Sequence, residues 1–152
     1  MRVDFEQIKS NIRSGAYTSI GSGSGRRVFD LDNGYVVKVA KNKKGFAQNE
    51  AEHQISSTSN SVLFAKILQI SEDYHMLIMQ RAEKINSISE VWRYFNVESN
   101  RALYNVGEIR YISSEYNLLM ADLYRPANWG KINGRPVIID FGFTRRVKKR
   151  YY

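Results

Sequence analysis

The sequence predicts an α+β fold in which a small antiparallel sheet with one helix is followed by a mostly helical part. Residues 15–83 read as β-β-β-α-β-β, residues 87–120 are mostly helical, and two Asn-Gly dipeptides indicate tight hairpins. A chain of 152 residues is long enough for one domain or for two small lobes around a cleft. We therefore expect a single domain over 1–152, with a small lobe at about 15–83, a reduced large lobe at 84–144 and a basic tail at 145–152.

The composition excludes several classes of protein. Apolar residues make up 43% of the chain and charged residues 25%, so we expect a packed core rather than disorder. The chain has no cysteine, which rules out disulfides and thiolate metal sites. No apolar run reaches the roughly 18 residues of a membrane span, and the N-terminus lacks the apolar core of a signal peptide. We expect a soluble protein of the cytoplasm, with no membrane partner.

The elements of the small lobe are predicted from apolar spacing and turn residues. They are a helix over 4–13, a strand from Ile20, a second strand after the glycine cluster, a turn at Asn33-Gly34, a strand over 35–40, a helix over 46–55, and strands over 63–70 and 75–79.

The second half is predicted to be helical before it ends in a hairpin. Residues 87–120 carry apolar side chains at helical intervals, although 96–105 fits neither helix nor strand clearly. A hairpin over 129–140 then turns at Asn133-Gly134, and we expect it to be the last structured unit.

The net charge of +8 is placed unevenly, because the last eight residues carry +5 of it. These residues are either a solvated tail or an anchor for phosphates or an acidic partner surface. No basic stripe occurs elsewhere in the sequence, so binding of nucleic acid through the tail is the less favoured alternative.

The cluster Gly21-Ser22-Gly23-Ser24-Gly25 is the first of four features that indicate chemistry. Backbone amides approach phosphate oxygens closely only where no Cβ intervenes, and clustered amides donate hydrogen bonds to the anion. A flexible loop without a ligand is the alternative interpretation.

The second feature is Lys38, the one charged residue in the apolar stretch 35–40. It either points to solvent from an edge strand or faces a site that needs a cation. Glu50 and Glu52 on the following predicted helix are both available to pair with it. We favour Glu52 because it lies nearer the apolar face that includes Ile55.

The last two features are polar residues in the second half. Asp122 and Asn128 lie six residues apart in a loop-like segment, and Asp140-Phe141-Gly142 follows an apolar strand twelve residues later. A carboxylate at the end of a strand can hold Mg²⁺ against the phosphates of a nucleotide. A chance tripeptide in a turn is the alternative interpretation of the second segment.

Taken in this order, the four features resemble the motifs of the protein-kinase-like superfamily over about residues 18–144. Gly21, Gly23 and Val28 match its glycine-rich loop, whereas Arg26 stands where the third glycine belongs. In its short hairpins the chain looks like small kinase-like proteins of bacteria and their phages. If a phage encodes it, the host cytoplasm is the expected location.

The segment from Asp122 to Asn128 resembles the catalytic loop of that superfamily but is one residue longer. Either Tyr124 is an extra residue, or Leu123 occupies the position of the catalytic aspartate. The segment that ends in Asp140 resembles the metal-binding strand end of the superfamily.

The resemblance implies a site for ATP and Mg²⁺ between two lobes. The implied roles are phosphate contact for Gly21, Gly23 and Gly25, nucleotide binding for Lys38 oriented by Glu52, metal binding for Asn128 and Asp140, and positioning of the acceptor hydroxyl for Asp122.

Two functions remain open at this point. One is an ATP- and Mg²⁺-dependent phosphotransferase whose acceptor is unknown. The other is a catalytically inactive kinase-like protein that binds a nucleotide or an unidentified protein partner. The helices that bind protein substrates in a full kinase have no counterpart in this sequence, which favours the second function. The presence of Lys38, Asn128 and Asp140 together favours the first, which is the function we expect.

Overall fold

The computed structural model describes residues 3–151. Its helices are α1 (Phe5–Arg13), α2 (Lys43–Thr58), α3 (Ser89–Tyr94), α4 (Asn100–Tyr104), α5 (Gly107–Glu115), α6 (Met120–Leu123) and α7 (Arg145–Tyr151), with a 3₁₀ turn at Pro126–Asn128. Its strands are β1 (Thr18–Ser22), β2 (Arg26–Asp30), β3 (Tyr35–Ala40), β4 (Ile67–Ile70), β5 (Met76–Gln80), β6 (Glu83–Lys84), β7 (Trp129–Ile132) and β8 (Arg135–Ile138).

A five-stranded antiparallel sheet forms the first half, in the order β1-β2-β3-β5-β4. The predicted α+β class is therefore confirmed. The hairpin between β2 and β3 also forms where the sequence predicts it, but its positive φ angles are at Asp32 (58°) and Gly34 (89°) rather than at Asn33. The Asn133-Gly134 hairpin has the two consecutive positive φ angles expected of a two-residue turn.

Successive residues of a strand point to opposite sides of the sheet, so the central strands contribute apolar side chains to two separate clusters, one on each face. On one face Phe29, Val37 and Ile78 form an apolar cluster beneath Ile8 of α1. On the other face Val36 and Leu77 belong to the main core of the molecule. The central strands are therefore largely apolar on both sides. The buried polar residues Arg26 and Lys38, which face α2, are exceptions.

Helix α2 lies against the second face of the sheet and is longer than the predicted 46–55. Asn42 caps it, accepting a hydrogen bond from the amide of Gly45 at 3.1 Å. The buried side of the helix comprises Gly45, Gln48, Asn49, Glu52 and Ile55. This side is unusually polar, which means that α2 contributes a charged group to the interior as well as apolar area.

The second half consists of short helices around one apolar core. Val91, Leu103, Ile109 and Ile112 come from α3, α4 and α5, and all four are fully buried. Helices of five to nine residues are marginal in isolation, so this burial is what holds them in place. The ambiguous segment 96–105 contains α4, and β6, which the sequence does not predict, joins β7 and β8 in a three-stranded sheet.

Two boundary predictions are wrong. The strand expected over 63–70 begins at Ile67, because Leu63 and Phe64 leave the sheet to pack beside Ile138. The segment at 145–152 is not simply a tail, because residues 145–151 form α7 and Val147 is buried. Tyr152 lies outside the described residues. No helix in the described part of the chain has the length and apolar character needed to cross a membrane.

Candidate active site

Lys38 and Glu52 form a buried ion pair between the sheet and α2. Strand alternation places Lys38 on the same face as Val36, so its side chain points at the helix rather than at solvent. Its Nζ lies 3.0 Å from Oε1 and 3.1 Å from Oε2 of Glu52, and it also donates to the carbonyl oxygen of Ile139. Glu50, the alternative partner, is hydrogen-bonded to Gln54 at the helix surface.

Arg26 shares the carboxylate of Glu52 with Lys38. Its Nη1 lies 2.7 Å from Oε1 of Glu52 and its Nη2 lies 3.0 Å from Oε2, so the guanidinium binds in the bidentate manner that favours arginine. Nη1 also donates to Oδ1 of Asn49 at 3.0 Å, and Nη2 donates to Oδ1 of Asp140 at 3.1 Å. Arg26 thus connects the start of β2, helix α2 and the segment after β8.

Glu52 is the centre of this arrangement and is fully buried. Besides the two cations, its Oε2 accepts hydrogen bonds from the amides of Phe141 at 2.9 Å and Gly142 at 3.1 Å. Burial by itself would raise the pKa of the Glu52 carboxyl. The charges of Arg26 and Lys38 outweigh that effect and lower the pKa to about 2. The carboxylate is therefore charged at any physiological pH.

Lys38 responds to the same surroundings in the opposite way. Burial lowers the pKa of its ammonium group and the adjacent charge of Arg26 lowers it further, whereas Glu52 and Asp140 oppose the shift. Burial and the charge of Arg26 thus disfavour the protonated form of Lys38. An anion bound beside Lys38 would favour that form and oppose the lowering of its pKa.

The segment Asp140-Phe141-Gly142 is held against α2 by steric fit as well as by Glu52. The ring of Phe141 is buried, with its centroid 4.6 Å from that of Phe64. A Cβ at residue 142 would lie 2.5 Å from the carbonyl oxygen of Gln48, so only glycine allows this approach to the helix. Because the next two residues are held in place, the side chain of Asp140 remains at the surface beside them, where it is 43% exposed.

Asp122 and Asn128 lie close to the strand end that carries Asp140. The amide of Ile139 donates to the carbonyl oxygen of Asn128 at 2.9 Å, and Nδ2 of Asn128 donates to the carbonyl oxygen of Asp122 at 2.9 Å. Asp122 and Asp140 also line one small pocket, together with Phe143. The fold therefore brings the polar residues of both predicted motifs to one place.

Asp122 carries a buried oxygen that is not satisfied. Its Oδ2 has no hydrogen-bond partner among residues 3–151. Burial and the neighbouring charge of Asp140 raise the pKa of this carboxyl, although Arg125 and Lys148 oppose the rise. An unsatisfied buried acceptor is unusual in a folded protein and requires an explanation.

The extra residue between Asp122 and Asn128 does not displace Asp122 from the pocket. Leu123 is 2% exposed and belongs to the apolar core, so it does not take the place of the aspartate. The indole of Trp129 donates to the carbonyl oxygen of Leu123 at 2.9 Å and holds the longer loop in place.

The three predicted glycines have different surroundings. Gly25 packs on the first turn of α2, where a Cβ would lie 2.3 Å from Oε1 of Gln48 and 3.1 Å from the amide nitrogen of Gly45. Packing therefore explains Gly25 without any ligand. A Cβ at Gly23 would meet no described atom within 4 Å, and one at Gly21 would meet only Val28 at 3.8 Å. Within the described chain, nothing crowds these two positions.

Sequence analysis missed the contribution of Arg26 and Asn49. Arg26 was only a departure from the glycine pattern, yet it lies two residues before Val28 on β2, and Val28 is the cross-strand partner of Lys38. Period-two alternation therefore places Arg26 on the face of Lys38. Asn49 lies three residues before Glu52, on the same side of α2, and it anchors the helix by donating to the carbonyl oxygens of Tyr74 and His75.

The oxygen donors at this site suit a magnesium ion that is also bound by phosphate. Mg²⁺ prefers one or two carboxylates together with substrate oxygens over a cage made only of protein. Among the described residues there is no group of three or more His, Cys, Asp or Glu side chains that could hold a metal. Asp140 supplies a carboxylate and Asn128 an amide oxygen nearby, and Oδ2 of Asp122 is a buried acceptor beside them.

Comparisons of this chain with protein-family models and with curated proteins find no match. The resemblance to the protein-kinase-like superfamily therefore stays a prediction that depends on the motifs of this sequence.

Proposed function

We propose that this chain is an ATP- and Mg²⁺-dependent phosphotransferase of a minimal protein-kinase-like type, with an acceptor that is not yet known. One observation carries the proposal. The carboxylate of Asp140 contacts Arg26 beside the buried Lys38–Glu52 pair, and it lines one small pocket with Asp122, whose Oδ2 has no partner in the described chain. Phosphoryl transfer needs little more than such positioning and the neutralisation of charge.

Each polar group has a task in this proposal. Lys38, oriented by Glu52, would bind the phosphates of the nucleotide. Asn128 and Asp140 would hold Mg²⁺, which when bound would neutralise charge on the transferred phosphate. The raised pKa of Asp122 and its orphaned oxygen suit a group that accepts a hydrogen bond from an acceptor hydroxyl and takes up its proton.

The glycine loop has a smaller part than the sequence suggests. Gly21 and Gly23 remain the candidates for close approach to phosphate, because a side chain at either position would not clash with any residue of the described chain. Gly25 instead fixes the base of the loop on α2, and its carbonyl oxygen accepts a hydrogen bond from the amide of Lys41 at 2.8 Å.

A second function has one specific observation in its favour. The ion pair between Arg26 and Asp140 occupies an oxygen that a metal would need. A non-catalytic kinase-like protein that binds nucleotide, or binds a protein partner through the exposed basic residues of α7, is consistent with that contact.

Thermal unfolding with ATP tests the proposal, in the presence and absence of Mg²⁺. Ligand at about a hundred times its Kd stabilises a fold by about 2.7 kcal/mol, which for this size is a shift in Tm on the order of 5–10 °C. We expect that shift in the wild type and a much smaller Mg²⁺-dependent part of it in Asp140→Asn. Arg27→Gln, on the exposed side of β2, is the control and should behave like the wild type.

Transfer of a labelled γ-phosphate then separates the two functions. The phosphotransferase predicts incorporation or release of label that Asp122→Asn abolishes without losing the Tm shift. A shift with ATP but no transfer by the wild type would support the non-catalytic alternative. The absence of any shift would overturn both nucleotide-based functions.

A further inference from the structure

The guanidinium of Arg26 lies where the glutamate of α2 meets the proposed metal-binding aspartate. Each terminal nitrogen makes two bonds, Nη1 to Asn49 and Glu52, and Nη2 to Glu52 and Asp140. The side chain is only 7% exposed. Arginine is suited to this position because its planar fork reaches several acceptors at fixed angles and stays charged when buried.

The four bonds of Arg26 are not equally protected. Asn49 and Glu52 are fully buried, whereas the Asp140 side chain is 43% exposed. The bond to Oδ1 of Asp140, at 3.1 Å, is also the longest of the four. The contact with Asp140 is therefore the one that a ligand from the cleft can exchange, while the other three keep the guanidinium in place.

A cation so close to a metal ligand must affect metal binding. Arg26 occupies one carboxylate oxygen of Asp140 and already neutralises its charge. A divalent ion on Asp140 would also lie close to the guanidinium, and like charges repel strongly where water is scarce. Both effects act in the same direction, against the metal.

We infer that Arg26 is a positioning residue that sets the metal affinity of this site, because it holds Oδ1 of Asp140 in the metal-free state and competes with Mg²⁺ for that carboxylate. The inference depends on the proposed function, since it presumes that Asp140 binds a metal beside a nucleotide. It gives Arg26 a role in regulating the site that the glycine of the kinase pattern could not have.

Manganese binding tests this directly, because free Mn²⁺ can be measured by electron paramagnetic resonance without any turnover. The titration is made on the full chain with a non-hydrolysable ATP analogue. Mutating a group that supports a metal ligand typically costs about 10–100-fold in metal affinity, and a group that competes with the metal should give a change of similar size with the opposite sign. We therefore expect Arg26→Gln to bind Mn²⁺ about tenfold more tightly than the wild type. Arg27→Gln removes the same charge from an exposed side chain on the opposite face of the same strand and should change the affinity less than twofold.

Two further variants keep the test decisive. Arg26→Lys retains a cation for Glu52 but lacks the fork that reaches Asp140, so it should also bind Mn²⁺ more tightly, and it serves if Arg26→Gln does not fold. Adding Asp140→Asn to either variant should abolish the gain.

Three results would overturn the inference. Equal Mn²⁺ affinity in the wild type, Arg26→Gln and Arg26→Lys would leave the proposed function standing and reduce Arg26 to a partner of Glu52. A gain that persists with Asp140→Asn would show that the effect does not act through Asp140. Failure of every variant and of the wild type to bind the nucleotide analogue would overturn the proposed function and this inference with it.

Discussion

Two carboxylates of the candidate site, Glu52 and Asp122, show how differently one fold can treat the same chemical group. Glu52 is fully buried and accepts hydrogen bonds from Arg26, Lys38 and two backbone amides. Asp122 is partly buried and has an oxygen with no partner in the described chain. The pKa of Glu52 is lowered to about 2, and that of Asp122 is raised. Groups whose environments push their pKa values apart take different roles. We therefore assign Glu52 to holding the site together and Asp122 to acting on a ligand.

Neutralising each carboxylate is the strongest way to break this comparison. Glu52→Gln leaves Arg26 and Lys38 buried without their counter-ion, and losing one partner of a buried ionic cluster costs about 3–5 kcal/mol of unfolding free energy. Asp122→Asn removes a charge that burial already disfavours, and we expect a change within about 1 kcal/mol, towards higher stability. Urea unfolding at pH 7 measures both.

Glu50→Gln is the matched control for Glu52→Gln, because it makes the same change two residues away on the same helix. The side chain of Glu50 accepts a hydrogen bond from its helical neighbour Gln54 at the exposed surface of α2, so we expect a loss below about 0.5 kcal/mol. Similar losses in the two variants would contradict the assignment of Glu52 as the centre of the site.

Acid sharpens the comparison, because the two carboxylates should respond with opposite signs. The folded-state pKa of Glu52 lies below its ordinary value of 4.5, so its stabilising contribution is complete above about pH 5 and is lost as the pH falls towards 2. A shift of this size corresponds to about 3 kcal/mol. Asp122, whose pKa is raised, destabilises the fold when ionised, and acid relieves that effect.

Urea unfolding between pH 2 and pH 7 measures the difference. We expect the wild type to lose stability over this range and Asp122→Asn to lose more, since that variant lacks the compensating protonation. Glu52→Gln should show a flatter dependence on pH than the wild type. If the unfolding free energy of Glu52→Gln depends on pH as steeply as that of the wild type, the acid sensitivity comes from other groups.

The difference between the two carboxylates also marks how far the sequence could predict this site. Alternation along β3 and spacing along α2 are local patterns, and they suffice to pair Lys38 with Glu52. The contact between Arg26 and Asp140 joins residues 114 positions apart, so no local pattern contains it. The unsatisfied oxygen of Asp122 depends on how α6 packs against the segment after β8, and the spacing of apolar residues in the sequence does not predict that packing.

The glycines illustrate the same limit from another direction. Gly25 and Gly142 appear in the sequence as parts of motifs for phosphate and metal. In the fold Gly142 is required by its close approach to the backbone of Gln48, and Gly25 packs tightly against the backbone amide of Gly45 and the side chain of Gln48. A motif therefore indicated which residues matter, whereas only the three-dimensional arrangement showed the reason. The two Asn-Gly hairpins, by contrast, follow from local turn chemistry and were predictable, whereas the pairing of β3 with β5 in the sheet joins strands that are not consecutive and was not predicted.

The smallest expected effect concerns the basic residues that face Asp122. Arg125 and Lys148 are exposed, and their charges partly offset the rise in the pKa of Asp122 that burial causes. Removing either charge, in Arg125→Gln or Lys148→Gln, should raise the pKa of Asp122 further at low ionic strength, measured from the carboxyl ¹³C shift. Because exposed charges are screened over about 3 Å at 1 M salt, the difference from the wild type should disappear there. Lys149→Gln, one residue along α7, is the control and should leave the titration unchanged. A difference that survives 1 M salt would mean that these residues act on Asp122 through packing rather than through screened charge. The pKa of Asp122 would then be set by direct structural contacts, as that of Glu52 is.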